Sequence, residues 1–222
     1  MTTLRTLASP GRRSARDPSR TREALLAAGT GLFAERGYSA ATVDAIARQA
    51  GVNKAMINYH FGGKLGLYRA ILTDTLTVVG DRAGRLAGSR LGADERLRAF
   101  VQIFAEMARE RPQFPAMVLR EVLSGAHRMD ERVLALIASL AGIVGEIVRQ
   151  GIEDGTFRPV DPFLTHLSLA GSLIFFFATA SFRERAAAQA NLPEARADDY
   201  VRHVQELVTR GLAREGGRTG DV

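Results

Sequence analysis

Residues 42–64 read TVDAIARQAGVNKAMINYHFGGK, and the stretch holds two short helical patterns joined by a tight turn. The first predicts a helix from about Val43 to Ala50, with Ile46, Ala47 and Ala50 on one side. The second predicts a helix from about Lys54 to Phe61, anchored inward by Ile57 and Phe61 at i and i+4. Between them Gly51 supplies the positive φ that stops a helix sharply. Asn53 offers an N-cap acceptor to the helix that follows. Thr42 caps the first helix in the same way, and Asp44 in its first turn complements the helix dipole. Helices this close cross only over a small side chain, and Ala47 stands where the second must pass the first. This is helix-turn-helix geometry, which lays its second helix in the major groove of duplex DNA. The outer face would carry Asn53, Lys54, Ala55, Asn58 and Tyr59, a set of donors, acceptors and an aromatic ring. No acidic residue occurs between Asp44 and Asp74, as a surface facing phosphates requires.

With these residues in view, the stretch from about Thr21 to Leu72 resembles the N-terminal DNA-binding domain of TetR-family transcriptional regulators. The matching segments are ALLAAGTGLFAERGYSAATVDAIARQAGV and INYHFGGKLGLYRAIL. The resemblance is close over about a quarter of the chain and extends to the remaining helices in layout. Many members of the family have Ser or Thr where Asn53 stands, a small residue near Lys54-Ala55, and Tyr where Asn58 stands. Those departures bear on DNA sequence preference and leave the fold reading intact. The INYHFGGK wording looks most like the CecR-like branch of the family.

The 222-residue chain is long enough to bury a real core. It has no cysteine, which excludes disulfides, thiolate redox sensing and Cys-ligated zinc. No uninterrupted apolar run approaches the length of a membrane span, and the N-terminus lacks the apolar segment of a signal peptide, so a cytoplasmic protein is the simplest reading. The net charge of +6 is unevenly placed: +5 over residues 1–22, +2 over 23–86 and −1 over 87–222. A basic end on a near-neutral body suggests a polyanion partner touched at that end. Lys54 and Lys64 are the only lysines against 28 arginines, a usage that suggests a GC-rich genome.

Along the chain, residues 1–20 mix Pro, Gly, Ser and Arg and are expected to be a disordered basic arm, either a phosphate or minor-groove contact or an inert leader. A first helix should run from about Arg20 to Arg36, burying Leu25, Leu26, Leu32 and Phe33, with Gly37 ending it. Within it Gly29-Thr30-Gly31-Leu32-Phe33-Ala34 matches a GxGxxA dinucleotide fingerprint on paper. That fingerprint needs a strand before it, and here the pattern sits mid-helix, so the small residues more readily serve close helix packing. Gly62-Gly63 breaks the recognition helix. A fourth helix follows from about Lys64 to Arg82 with Leu65, Tyr68, Leu72 and Val79 inward. Glycines at 80, 84, 88 and 92 place a domain boundary near 84–93, giving a helix-turn-helix domain over 21–84 and a second domain over 85–222. Helical periods continue over about 94–110, 112–126, 130–153, 161–184 and 193–214, the segment at 112–126 carrying Phe114, Met117, Val118, Val122 and Leu123 on its apolar side. The fold class is therefore all-α, without a convincing strand. The helix at 161–184 is apolar on nearly every side, which calls for burial against both the core and a second chain. The resemblance implies a homodimer built on a four-helix bundle, for which 130–153 and 161–184 are the candidates, a monomer core being the alternative.

Base edges would be met by Asn53, Lys54, Ala55 and Asn58. Phosphates would be met by Thr42, Tyr59, His60 and Lys64, the resemblance favouring contact by Tyr59 and His60 over simple packing. Phe104, Met107, Met117, Arg120, His166, Ile174 and Phe177 form a candidate ligand pocket; Met and Phe at helical spacing also suit an ordinary core, and Arg120 and Glu121 a surface pair or an interhelical salt bridge. His127, His166 and His203 lack paired metal-ligand spacing, so no metal is expected, nor any cofactor. There is no nucleophile elbow, HExxH or P-loop, so no enzymatic activity is expected. The reading is a homodimeric, ligand-responsive DNA-binding transcriptional regulator, a repressor released from a palindromic operator by a small apolar effector. The alternatives are a helical small-molecule-binding or enzymatic module with vestigial DNA contact, and an architectural DNA binder.

Overall fold

The computed structural model describes residues 18–214, and over these the chain forms ten α-helices. They are α1 (Pro18–Ala40), α2 (Val43–Ala50), α3 (Ala55–Phe61), α4 (Lys64–Gly84), α5 (Ala93–Glu110), α6 (Phe114–Leu123), α7 (Glu131–Glu153), α8 (Pro162–Ala178), α9 (Ala180–Ala190) and α10 (Ala197–Leu212). The fold class is all-α, as expected; one isolated β-bridge joins Phe157 to Ala213. The basic arm expected over residues 1–20 lies outside the described residues except for 18–20, which open α1.

Helices α1 to α4 form the head. Leu25, Leu32 and Phe33 of α1 are buried against Ile46, Ala47, Ile57, Leu67 and Leu72. The small residues in mid-helix serve close packing: a Cβ on buried Gly29 would stand 3.0 Å from Ile71 and 3.1 Å from Leu67, so α4 crosses α1 closely enough that a side chain there would push those two aside. Gly37 breaks the helical course at φ 75°, the residue where the sequence places the end of α1. Leu65 departs from its expected inward place. It lies in the first turn of α4 at 37% exposure, while Tyr68, Leu72 and Val79 are buried.

The head's core does not close on itself. It runs on through Met107 of α5, Phe114 and Met117 of α6 and Val133 of α7, so α4 is shared between the head and the body. A second core gathers α5, α7, α8 and α10 around Leu97, Val101, Val144, Ile147, Leu169, Leu173 and Val201. Val122 and Leu123, expected among the apolar residues of their helix, are exposed because α6 ends there and the chain turns through Gly125 and Ala126 at positive φ.

The apolar helix expected over 161–184 is two helices, α8 and α9, bent by 72° at Thr179. Side-chain donors also meet the carbonyls at the break. Thr179 Oγ1 donates to Phe175 O at 2.7 Å and Arg183 Nε to Phe176 O at 3.2 Å. The Arg183 guanidinium also lies 3.6 Å from the Phe176 ring centroid, and that ring stacks on Tyr200 of α10 at 3.8 Å. Among the described residues no single helix is long and apolar enough to cross a membrane.

Packing is close where the turn after α7 returns under it. A Cβ on Gly151 would fall inside the Phe157 ring and 2.9 Å from Ala93 Cβ, in a site with no exposed side to yield into. Gly151→Ala should therefore destabilise the fold by about 1–3 kcal/mol, read as a lower denaturant midpoint with an unchanged slope; a midpoint within error of the parent would show that the Phe157 ring moves freely.

Candidate nucleic-acid interface

The unit α2–α3 is built from local signals. Thr42 Oγ1 accepts the Ala45 N–H at 3.2 Å at the start of α2. At its end Gly51 adopts φ 65° and the Val52 N–H returns to Ala47 O at 3.0 Å, closing the last turn. Asn53 Oδ1 then accepts the Ala55 N–H at 2.8 Å, so α3 begins at Ala55, one residue later than its period suggests. Buried Ile46, Ala47 and Ile57 fix the crossing of the two helices. Gly62 and Gly63, at φ 69° and 124°, turn the chain from α3 into α4 through conformations that L side chains rarely adopt. Gly66 completes the corner: a Cβ there would collide with the backbone carbonyl of Phe61.

This scaffold leaves Asn53, Lys54, Ala55, Asn58 and Tyr59 exposed together on α3 and its approach, Tyr59 at 75%. Lys54 is 3.1 Å from Asp44 of α2, an ion pair open to solvent on both sides. His60 is half-buried, its ring edge-on to Tyr59 at 4.9 Å. Thr42 is exposed beside them, its oxygen engaged in the cap. Lys64 is turned back toward the protein. Its Nζ donates to Ser39 O at 3.3 Å and lies 4.4 Å from the Tyr38 ring centroid. Partial burial, with the nearby Arg128 guanidinium second, pulls the Lys64 ammonium below its ordinary pKa. One contact the sequence reading did not find is Arg22 of α1, whose guanidinium lies 5.6 Å from the Phe61 ring at the end of α3.

Behind this face sits a network that joins head to body. Glu121 of α6 is 2% exposed. Its Oε1 accepts the Arg128 backbone N–H at 2.8 Å, and its Oε2 accepts the Tyr68 hydroxyl at 3.0 Å and the Arg128 guanidinium at 3.2 Å. Burial first, then the hydrogen bond to Glu121, pushes the Tyr68 phenol far up, so it stays a donor throughout the physiological range. Arg128 also stacks 4.7 Å from the Tyr38 ring centroid. Of the two readings of Arg120 and Glu121, the surface pair is thus corrected: Glu121 is buried, and it makes its ion pair with Arg128 of the turn before α7.

The candidate ligand-pocket residues do not gather in one place. Met107 and Met117 are buried in the core that runs from the head. Met117 and Arg120 border a cleft beside α1. Phe104 and Phe177 face each other with ring centroids 6.3 Å apart, Ile174 packs onto the first core, and Phe177 also borders a depression formed with α1 and the start of α6. His166 lies on α8 against Phe100, ring centroids 6.5 Å apart, and its Nδ1 is buried with no hydrogen-bond partner among the described residues. No group of His, Cys, Asp and Glu able to hold a metal ion occurs among the described residues.

Residues 25–71 match the family model for bacterial regulatory proteins of the tetR family, and residues 94–208 match that for a tetracyclin repressor-like C-terminal domain. The chain is 26% identical over 204 residues to the HTH-type transcriptional repressor NicS of Pseudomonas putida, covering 90% of this chain and 96% of that one. It is 27% identical over 154 residues to the HTH-type transcriptional regulator RutR of Escherichia coli K12, covering 68% and 71%. Among solved structures, the TetR family transcriptional regulator PfmR from Thermus thermophilus superposes with a TM-score of 0.69 at 26% identity, covering 86% of this chain and 99% of that one.

Burial holds the His166 imidazole below its ordinary pKa of 6.5. As pH falls through that value the unfolded chain takes up a proton that the folded chain resists, so stability present above about 6.5 is lost on acidification. The thermal midpoint should drop between pH 7 and pH 5, and drop less in His166→Gln; superimposable pH profiles for the two proteins would rule His166 out as the source.

Proposed function

The chain belongs to the TetR family of bacterial regulatory proteins, and on that premise we propose that it is a homodimeric, ligand-responsive DNA-binding transcriptional regulator acting as a repressor in the cytoplasm. The observation that carries this reading is the exposed face of α3. Asn53, Lys54, Ala55, Asn58 and Tyr59 stand clear of the core on a helix whose inward side is fixed by Ile57. Asn53, Lys54, Ala55 and Asn58 meet base edges in the major groove, while Thr42, Tyr59, His60 and Lys64 fix register on phosphates. For Lys64 this means exchanging the Ser39 carbonyl for a phosphate oxygen. The similarity to NicS, a protein named a repressor, supports the sign of regulation. Within the family, the INYHFGGK wording at residues 57–64 supports a CecR-like branch.

The dimer is supported by a stripe of exposed apolar side chains on α8, Phe163, Leu164, Leu167 and Phe175, with Leu134 exposed on α7. A stripe of this kind is expensive to leave in water and is covered by a second copy of the same helices. Twofold symmetry then sets the two α3 helices about 34–36 Å apart, on a palindromic operator. A small apolar effector bound among the body helices near Phe104, His166, Ile174 and Phe177 acts through α4, which is packed into both cores. It releases DNA to the extent that it prefers the body conformation in which the two heads are out of register.

With the operator taken from DNA flanking the protein's own gene, Asn58→Ala and Lys54→Ala should each weaken binding by about tenfold or more, ~1–3 kcal/mol, while scattering shows intact dimers. Wild-type affinity in both variants would remove α3 from the DNA. Leu167→Glu should yield monomers by the same scattering measurement; a dimer in that variant would move the interface off α8.

A further inference from the structure

A cleft of about 240 Å³ opens where the end of α1, the first half of α4 and the end of α6 meet. Its walls are in part apolar, from Phe33, Tyr38 and Met117, and it carries three guanidiniums, those of Arg36, Arg120 and Arg128. The single carboxylate in the lining, Glu121, is already met by the Tyr68 hydroxyl and by two donors of Arg128. Arg36 is exposed and paired with its neighbour Glu35 at 3.3 Å. Arg120 is exposed, and its guanidinium has no hydrogen bond or ion pair among the described residues. Its Nη1 stands 3.7 Å from where a Cβ on Gly37 would lie, across the mouth between α6 and α1. The cleft thus collects more cationic than anionic groups, and one of its guanidiniums is uncommitted.

We propose that this cleft binds a small organic carboxylate, clamped by Arg120, with its carbon body against Phe33, Tyr38 and Met117. Three features select that class. The planar fork of a guanidinium matches a planar carboxylate through two parallel hydrogen bonds. The apolar walls would be left idle by a bare oxyanion such as phosphate. The volume lies just below the usual range for small-molecule pockets, about 300–1,000 Å³, which limits the body to a single ring or a short chain. The site is separate from the apolar region around His166, and binding there does not rest on the DNA-binding reading. Its place gives it a consequence for that reading, since the same Arg128 that borders the cleft repels Lys64 across Tyr38. An anion here screens that repulsion and bridges α1 to α6.

The test is a calorimetric titration of the full chain with sodium benzoate at constant ionic strength, in the absence of DNA. Saturable binding is expected for the wild type, weakened about tenfold or more in Arg120→Ala. It should be unchanged in Arg132→Ala, which removes an exposed arginine on α7 away from the cleft. Arg120→Lys, which keeps the charge and loses the fork, should fall between. Inorganic phosphate, which meets the guanidinium equally well but leaves the apolar walls unfilled, should bind at least about tenfold more weakly than benzoate. The proposal is overturned if wild type shows no saturable heat at millimolar benzoate, if Arg120→Ala binds as wild type does, or if phosphate matches benzoate. Because no DNA is present, a failure of the DNA-binding reading leaves every one of these outcomes intact.

Discussion

A carboxylate removed from water must have its oxygens met, or it costs several kcal/mol, and Glu121 is met by groups from two other parts of the chain. The Tyr68 hydroxyl comes from α4, and the Arg128 backbone N–H and guanidinium come from the turn leading to α7. Satisfying all three at once fixes α6, α4 and that turn in one arrangement. Arg128 carries the constraint further by lying over the Tyr38 ring, and Lys64 approaches the same ring from the first residue of α4. The corner that aims α3 is therefore tied to the body through one buried charge, and loss of the Arg128 guanidinium would leave that charge uncompensated. Position, more than net stabilisation, is what such a buried pair supplies.

From this junction α4 runs as a shared beam. Near its middle Arg111 donates to Asp74 at 3.0 Å and to Thr75 at 2.5 Å, and near its end Arg82 makes a two-pronged pair with Glu110, both bonds 2.9 Å. Its apolar residues enter the core of the head from Leu67 to Val79, and Ala83 enters that of the body. A displacement among α5, α6 or α7 has no slack to be absorbed in before it reaches the head, because packed interiors yield in steps rather than continuously.

The helix-turn-helix was legible because each of its signals is local. Thr42, Gly51 and the Gly62-Gly63 pair act within a few residues of where they stand, and the structure finds them in those roles. The glycine at 29 was legible for a similar reason, since a strand-dependent fingerprint inside a helical period has to be read as packing. What stayed hidden depends on distant chain. The partner of Glu121 on α4 lies 53 positions away, and hydropathy alone gives a buried glutamate no signature. The bend at Thr179 escaped because threonine is no helix breaker. It is accompanied by the side-chain donors that Thr179 and Arg183 bring to the carbonyls of Phe175 and Phe176 and by the stack of Phe176 on Tyr200, contacts made across the bend. Val122 and Leu123 were expected with the apolar residues of α6, yet a period cannot say where the core stops beneath a helix.

The pairing of Lys54 with Asp44 gives the head a counterion of its own. A phosphate or base engaging Lys54 would have to displace that tethered carboxylate. The cations condensed on the duplex would still be released, so such a contact would keep its salt dependence while its net gain is reduced by the lost ion pair. The exchange also leaves Asp44 unpaired in the negative field of the duplex. On the proposed reading Lys54 would add less to general adhesion along DNA than an unpaired lysine, and would count most where the rest of the α3 face fits well enough to offset the stranded carboxylate.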